Sequence, residues 1–161
     1  MRSWGVYAAI ALGAVAYNVF TKADRDESGA IVGEGTISAF QMRVGDCYQD
    51  SASAVSEDNY EVSEVRGVPC AEPHDNEVFA VFDLSVAQWP GEEQIESLAD
   101  EGCRQRFTKA IGSSYEDSVL EITYLTPTEG SCKRRSDREV ICAAYHMEQE
   151  KLTGSVMNSG L

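Results

Sequence analysis

Positive charge is scarce in this chain. Thirteen lysines and arginines, 13 in all, stand against 27 aspartates and glutamates, giving a formal net charge of -14 at pH 7. A phosphate backbone is recognised by a basic patch, so this balance argues against a nucleic-acid binder. Charge-driven attachment to an anionic lipid surface is disfavoured on the same ground. The acidity reads as solubility in a salty or wall-rich exterior before it reads as an acidic docking surface.

Histidine is scarcer still: His74 and His146 are the only two. With so few nitrogen ligands a zinc site is disfavoured. No Cys-x-x-Cys pair, no Gly-x-Ser-x-Gly elbow and no triad spacing occurs, so neither redox chemistry nor nucleophilic catalysis has a recognisable signature. Internal repeats and low-complexity tracts are absent too. The expectation is a protein that is not an enzyme.

What the chain does have is cysteine: five in 161 residues. Without metal-ligand spacing, that number points to structural disulfides in an oxidising compartment. The stretch Val68–Val78, VPCAEPHDNEV, lies between the other cysteines and crowds Cys70, Pro73, His74, Asp75 and Glu77 together. His74 and Glu77, three residues apart, could form an acid–base pair of a hydrolase or metal-dependent enzyme. The preferred alternative is that His74 caps the turn after Pro73 and bonds a neighbouring carboxylate or carbonyl. Asp137 and Arg138 read as a buried or half-buried ion pair that sets a turn.

Residues 4–20, WGVYAAIALGAVAYNVF, carry no charge. The run is at the short end of what spans a bilayer, and Trp4, Tyr7 and Tyr17 suit its two interfaces. A single-pass anchor is favoured over a cleaved signal, although Ala14 and Ala16 satisfy the small-x-small rule. Arg2 precedes the run and Lys22 and Arg25 follow it, so the cysteines decide that the C-terminal domain lies outside the cell membrane.

An acidic linker, residues 22–36, follows. Asp24, Asp26, Ser28, Gly29 and Ile31 match the early positions of an EF-hand-like calcium loop, but Gly35 stands where a bidentate glutamate is required. A weak calcium site at Asp24, Asp26 and Ser28 is the only cofactor expected, and a flexible spacer is the preferred reading. The folded domain is expected over residues 37–157, with a tail at 158–161.

Within the domain, strands are expected in ISAFQMRVGDCYQD, YEVSEVRGVPC, EVFAVFDLSV, SVLEITYLTPT, REVICAAYHM and KLTGSV, with a polar loop at residues 51–59. From Gly91 to Gly112, Ile95, Leu98, Ala99, Cys103, Phe107, Ala110 and Ile111 recur at helical spacing, which turns Cys103 inward. Acidic residues open this helix and Arg104, Arg106 and Lys109 close it, as its dipole prefers. The class is therefore α+β: a mostly antiparallel sheet of five or six short strands with one central helix on one face, preceded by a transmembrane helix.

The ordered set VGDC, VPCAEPHDNEV, the Cys103 helix, YLTPTEGSC, SDREVIC and LTGSV resembles the septum-formation domain of actinobacterial envelope proteins, over roughly Phe40 to Val156. Pro73, His74, Glu77, Pro127, Asp137 and Arg138 belong to those motifs. The resemblance implies a membrane-anchored or secreted protein linked to cell division, with other membrane or envelope proteins as partners. It also implies four matching cysteines, for which we pair Cys47 with Cys70 and Cys103 with Cys142 among the three connectivities that four cysteines allow. The family pattern has tryptophan at Cys132 and glycine at Ser136. Cys132 is thereby left over, either joining a second chain or, preferably, buried as a small apolar residue.

Overall fold

The computed structural model describes residues 22–50 and 64–161. The anchor expected at 1–21, the polar loop at 51–59 and the start of the following strand lie outside the described residues. Among the described residues, no helix is long and apolar enough to cross a membrane.

Among the described residues the strands and α-helices follow in the order β1 (Asp24–Arg25), β2 (Ile31–Gly33), β3 (Gly35–Ser38), β4 (Cys47–Gln49), β5 (Glu64–Val68), β6 (Asn76–Asp83), α1 (Glu92–Ile111), β7 (Leu120–Leu125), α2 (Glu129–Arg135) and β8 (Glu139–His146). Strands β3-β5-β4-β6-β8-β7 form one six-stranded sheet, and β1 and β2 make a separate hairpin. Every pairing in the large sheet is antiparallel. The α+β class expected from the sequence holds, with a six-stranded sheet and two helices.

Strand β8, paired on both sides, shows why both faces of the sheet are buried. Its side chains alternate, Val140, Cys142 and Ala144 joining the core under α1 while Ile141 and Ala143 join the core on the opposite face. In β6 the register against β8 shifts between Val78 and Ala80. The extra residue lets Phe79 and Ala80 both reach the helix-side core, while Val78 stays on the other face.

Helix α1 buries Ile95, Ala99, Gly102, Cys103, Phe107 and Ile111. Phe107 stacks edge-on between Phe79, at 5.6 Å, and Tyr115, at 5.3 Å. The Cys103–Cys142 disulfide, with Cα atoms 5.6 Å apart, ties the middle of the helix to β8. Gly102 is needed at the closest approach: a Cβ there would lie 2.2 Å from Cζ of Phe82. Gly112 ends the helix in the left-handed region, φ 92, donating its N–H to Thr108 O.

Three expectations change here. Residues 22–36 are not a loose spacer: β1 and β2 pair, Ala23 and Ile31 are buried against Ile37 and Val65, and Arg25 grips the buried carboxylate of Asp46. Ala23 and Ile31 drive this, because together they supply the lid that the open sheet face lacks. A second helix, α2, joins the one central helix expected, with Ser131 inside it and Ser136 as its left-handed C-cap at φ 57. KLTGSV forms no strand: only Leu152 bridges, to His74.

Candidate functional site

The stretch from Cys70 to Glu77 folds as a clasp around the C-terminal segment 152–156. Cys47 in β4 faces Val68 across β5 and Glu77 across β6, and the Cys47–Cys70 disulfide closes the turn that follows β5. Pro73 leads into His74, whose N–H and C=O exchange hydrogen bonds with Leu152, at 3.0 and 2.8 Å. Gly154 N–H donates to Cys70 O at 2.7 Å. Glu77 receives the last two: Ser155 Oγ donates to its Oε1 at 2.6 Å and Val156 N–H to its Oε2 at 2.5 Å.

The side chains of His74 and Glu77 are completely buried. Nδ1 of His74 lies 2.8 Å from Glu72 O. A carbonyl only accepts, so Nδ1 carries a proton, and Nε2 has no hydrogen-bond partner among the described residues. The two side chains thus engage different partners, and neither lines either of the grooves described below. The turn-capping reading of His74 matches this geometry in its carbonyl form.

Oxygen and sulfur ligands converge once among the described residues: a Glu77 oxygen and the sulfurs of Cys47 and Cys70 lie within 4.8 Å of one another. Both sulfurs are spent in the disulfide, so no thiolate is on offer there.

The Asp24, Asp26 and Ser28 set has another use in the structure. Oδ1 of Asp26 accepts from Ser28 N–H at 2.9 Å, Ser28 Oγ at 2.6 Å and Ala30 N–H at 3.1 Å, closing the turn between β1 and β2. The Ser28 hydroxyl, followed by these backbone donors, holds the Asp26 carboxyl below the usual carboxylate range. Asp24 lies in β1 opposite Gly33.

Asp137 and Arg138 do not pair with each other, which corrects the expected ion pair. Adjacent residues entering a strand point to opposite sides, so the two side chains find separate partners, although Arg138 also donates to the backbone carbonyl of Asp137 at 2.7 Å. Asp137 accepts from Ser131 Oγ at 2.7 Å and from Glu139 N–H at 3.1 Å. Arg138 donates to Val86 O at 2.8 Å, Ala87 O at 3.2 Å and Cys132 O at 3.2 Å, and to Cys132 Sγ at 2.9 Å. Cys132 is free and buried. Thr128, after buried Pro127, caps α2 in a reciprocal box with Ser131.

Sequence reasoning passed over Asp46. Its carboxylate takes both arms of Arg25, at 2.5 and 2.7 Å, and Arg43 N–H at 2.8 Å. The hydrogen bond from Arg25 to Asp46 raises the arginine's pKa against the opposing effect of burial. Only the long-range fold brings these two residues together.

The grooves that open on the surface of the described residues include two beside these motifs. One, of about 1040 Å³, runs between the start of α1, the end of β7 and α2, and Pro127 and Asp137 are in its wall. The other, of about 600 Å³, lies where Tyr48, Asp75, Thr123 and Tyr145 meet. Burial, then the charges of Asp50 and Asp75, push the Tyr48 phenol well up.

A sheet with one disulfide-tethered helix and a clasped C-terminal segment defines a small α+β domain, stapled by two disulfides. The septum-formation family profile matches residues 34–158, and the chain belongs to that family, which points to a role in septum formation. No curated protein and no solved structure matches it.

Proposed function

We propose that the chain is a membrane-tethered, extracytoplasmic interaction module of an actinobacterial cell envelope, acting in septum formation or as an accessory subunit of a membrane complex, and that it has no catalytic activity of its own. The observation that carries the reading is the family match over 34–158. The two disulfides support an oxidising location, and the uncharged run at 4–20 supports a tether. The buried use of His74 and Glu77 supports a structural role for the central motif: both hold the domain's own backbone in place.

The test is purification of the intact chain from its native membranes in mild detergent after brief crosslinking, with mass spectrometry of what accompanies it. Division or wall-synthesis proteins, or one defined membrane complex, should be recovered in constant ratio. Recovery of the chain alone, or from the soluble cytosolic fraction, overturns the reading.

A further inference from the structure

A six-stranded sheet has two edges, and among the described residues only the first is covered. At β3 the preceding chain lies alongside, Lys22 bridging Thr36 and Ala23 N–H donating to Thr36 O at 3.1 Å. At β7 no described residue does the same. Met147 N–H donates to Val119 O at 2.9 Å, opposite it in the ladder, and backbone groups alternate along an antiparallel strand. Glu121, Thr123 and Leu125 therefore bond to β8, while the N–H and C=O of Ile122 and Tyr124 point away from the sheet. An unpaired edge of this kind is a template for another extended chain.

The surroundings of that edge select the occupant. Its end opens into the larger groove, where the single guanidinium of Arg134 is outnumbered by the carboxylates of Glu92, Glu96, Glu129, Asp137 and Glu139. Among the described residues, Glu92, Glu96 and Glu139 have no cationic partner, whereas Glu129 is bound by Lys133. Tyr124, on the edge itself, has its phenol pKa raised by burial and then by Asp100 and Glu96. A second copy of this chain would bring -14 against -14 and set carboxylates against carboxylates. A basic strand would meet the opposite charge.

We propose that the β7 edge, with the acidic groove at its end, docks an extended lysine- or arginine-bearing segment of a partner protein, which adds to the sheet as a seventh strand. Main-chain bonds to Ile122 and Tyr124 supply affinity and the groove carboxylates supply selectivity. This rests on the interaction-module reading and names the chemistry of its partner.

The full chain, isotopically labelled in mild detergent, is titrated with a peptide of alternating lysine and threonine and with its glutamate–threonine counterpart. The lysine peptide should slow amide exchange at Ile122 and Tyr124 at least tenfold. Its affinity should fall at least tenfold in the E92K/E96K double variant, whose two changed positions are exposed. The glutamate peptide should leave both amides unprotected. Equal binding of the two peptides, or no protection at these amides, overturns the proposal. Protection that grows with protein concentration without peptide assigns the edge to a second copy and also overturns it. Ile122→Pro, which removes an outward donor and leaves the β8 bonds intact, should abolish protection at Tyr124. If the peptide fails while envelope proteins still co-purify with the chain, the docking surface is wrong and the module reading stands.

Discussion

Glu139 on β8 stands directly opposite Asp83 on β6, so two carboxylates face each other across a strand pair. Like charges in that position oppose folding, by about 0.2–1 kcal/mol. Burial, then Asp137 and Asp83, raises the Glu139 pKa above its ordinary 4.5. A carboxyl whose pKa is raised by folding binds its proton more tightly in the folded state. The ionised form therefore costs stability at neutral pH, and the cost is relieved as pH falls through the raised value towards 4.5. Glu139→Gln should raise the urea midpoint slightly at pH 7, and the gain over the parent should vanish below pH 4.5. A gain that persists unchanged in acid contradicts the electrostatic account.

Glu77 supplies two of the bonds that hold residues 152–156, and both its partners lose their acceptor if it is removed. Leaving a buried N–H unpaired costs about 1–3 kcal/mol. Glu77→Ala should lower the unfolding free energy by at least that much and speed exchange of the Val156 amide more than that of amides in α1. Ser155→Ala removes the bond to Oε1 and the one that Ser155 Oγ accepts from Met157 N–H, but at an exposed position, and should cost less, about 1 kcal/mol. Equal exchange in all three proteins dismisses the clasp.

Much of this was legible and some was not, for reasons that separate by distance along the chain. The α1 face could be read because Ile95, Ala99, Cys103 and Phe107 repeat at a period set by the helix itself. Gly102 was missed on that face because its burial depends on Phe82, twenty positions back. Helix α2, EGSCKRR, has too few apolar residues for any period, although Thr128 with Ser131 three places later was an available N-cap signal. Asp46 lies 21 positions from Arg25, Ser155 lies 78 from Glu77 and Val86 lies 52 from Arg138, and no local pattern encodes these contacts. Asp137 and Arg138 invited an ion-pair reading through opposite charge, and strand geometry overrode it.

Disulfide removal should scale with loop length. The Cys103–Cys142 bridge spans 39 residues and the Cys47–Cys70 bridge 23. Loop-closure entropy puts their contributions at about 3.9 and about 3.4 kcal/mol. Replacing each pair by alanines and measuring unfolding in urea should show both variants weakened by several kcal/mol, with the helix-to-sheet pair costing slightly more. The C103A/C142A protein should also lose near-ultraviolet signal from Phe107 and Tyr115 before its far-ultraviolet signal falls, since the bridge anchors the helix that carries that aromatic stack.

Arg138 satisfies four carbonyls, those of Val86, Ala87, Cys132 and Asp137, and a thiol, joining the loop after β6 to α2. Its planar fork reaches several acceptors at once, which a lysine ammonium on a flexible stem does not reproduce. Arg138→Lys should therefore recover little of the stability lost in Arg138→Ala, which leaves Val86 O, Ala87 O and Cys132 O without this donor and should cost about 2–4 kcal/mol. The same contact predicts the behaviour of Cys132. Being buried beneath the guanidinium, its thiol should resist a maleimide reagent in the native protein and react stoichiometrically in denaturant, with no dimer on a non-reducing gel. In Arg138→Ala the thiol should label faster under native conditions, because the group that covers it is gone. Rapid labelling of the parent protein, or a disulfide-linked dimer, rules out a buried, arginine-bound thiol and returns Cys132 to the role of a link between chains.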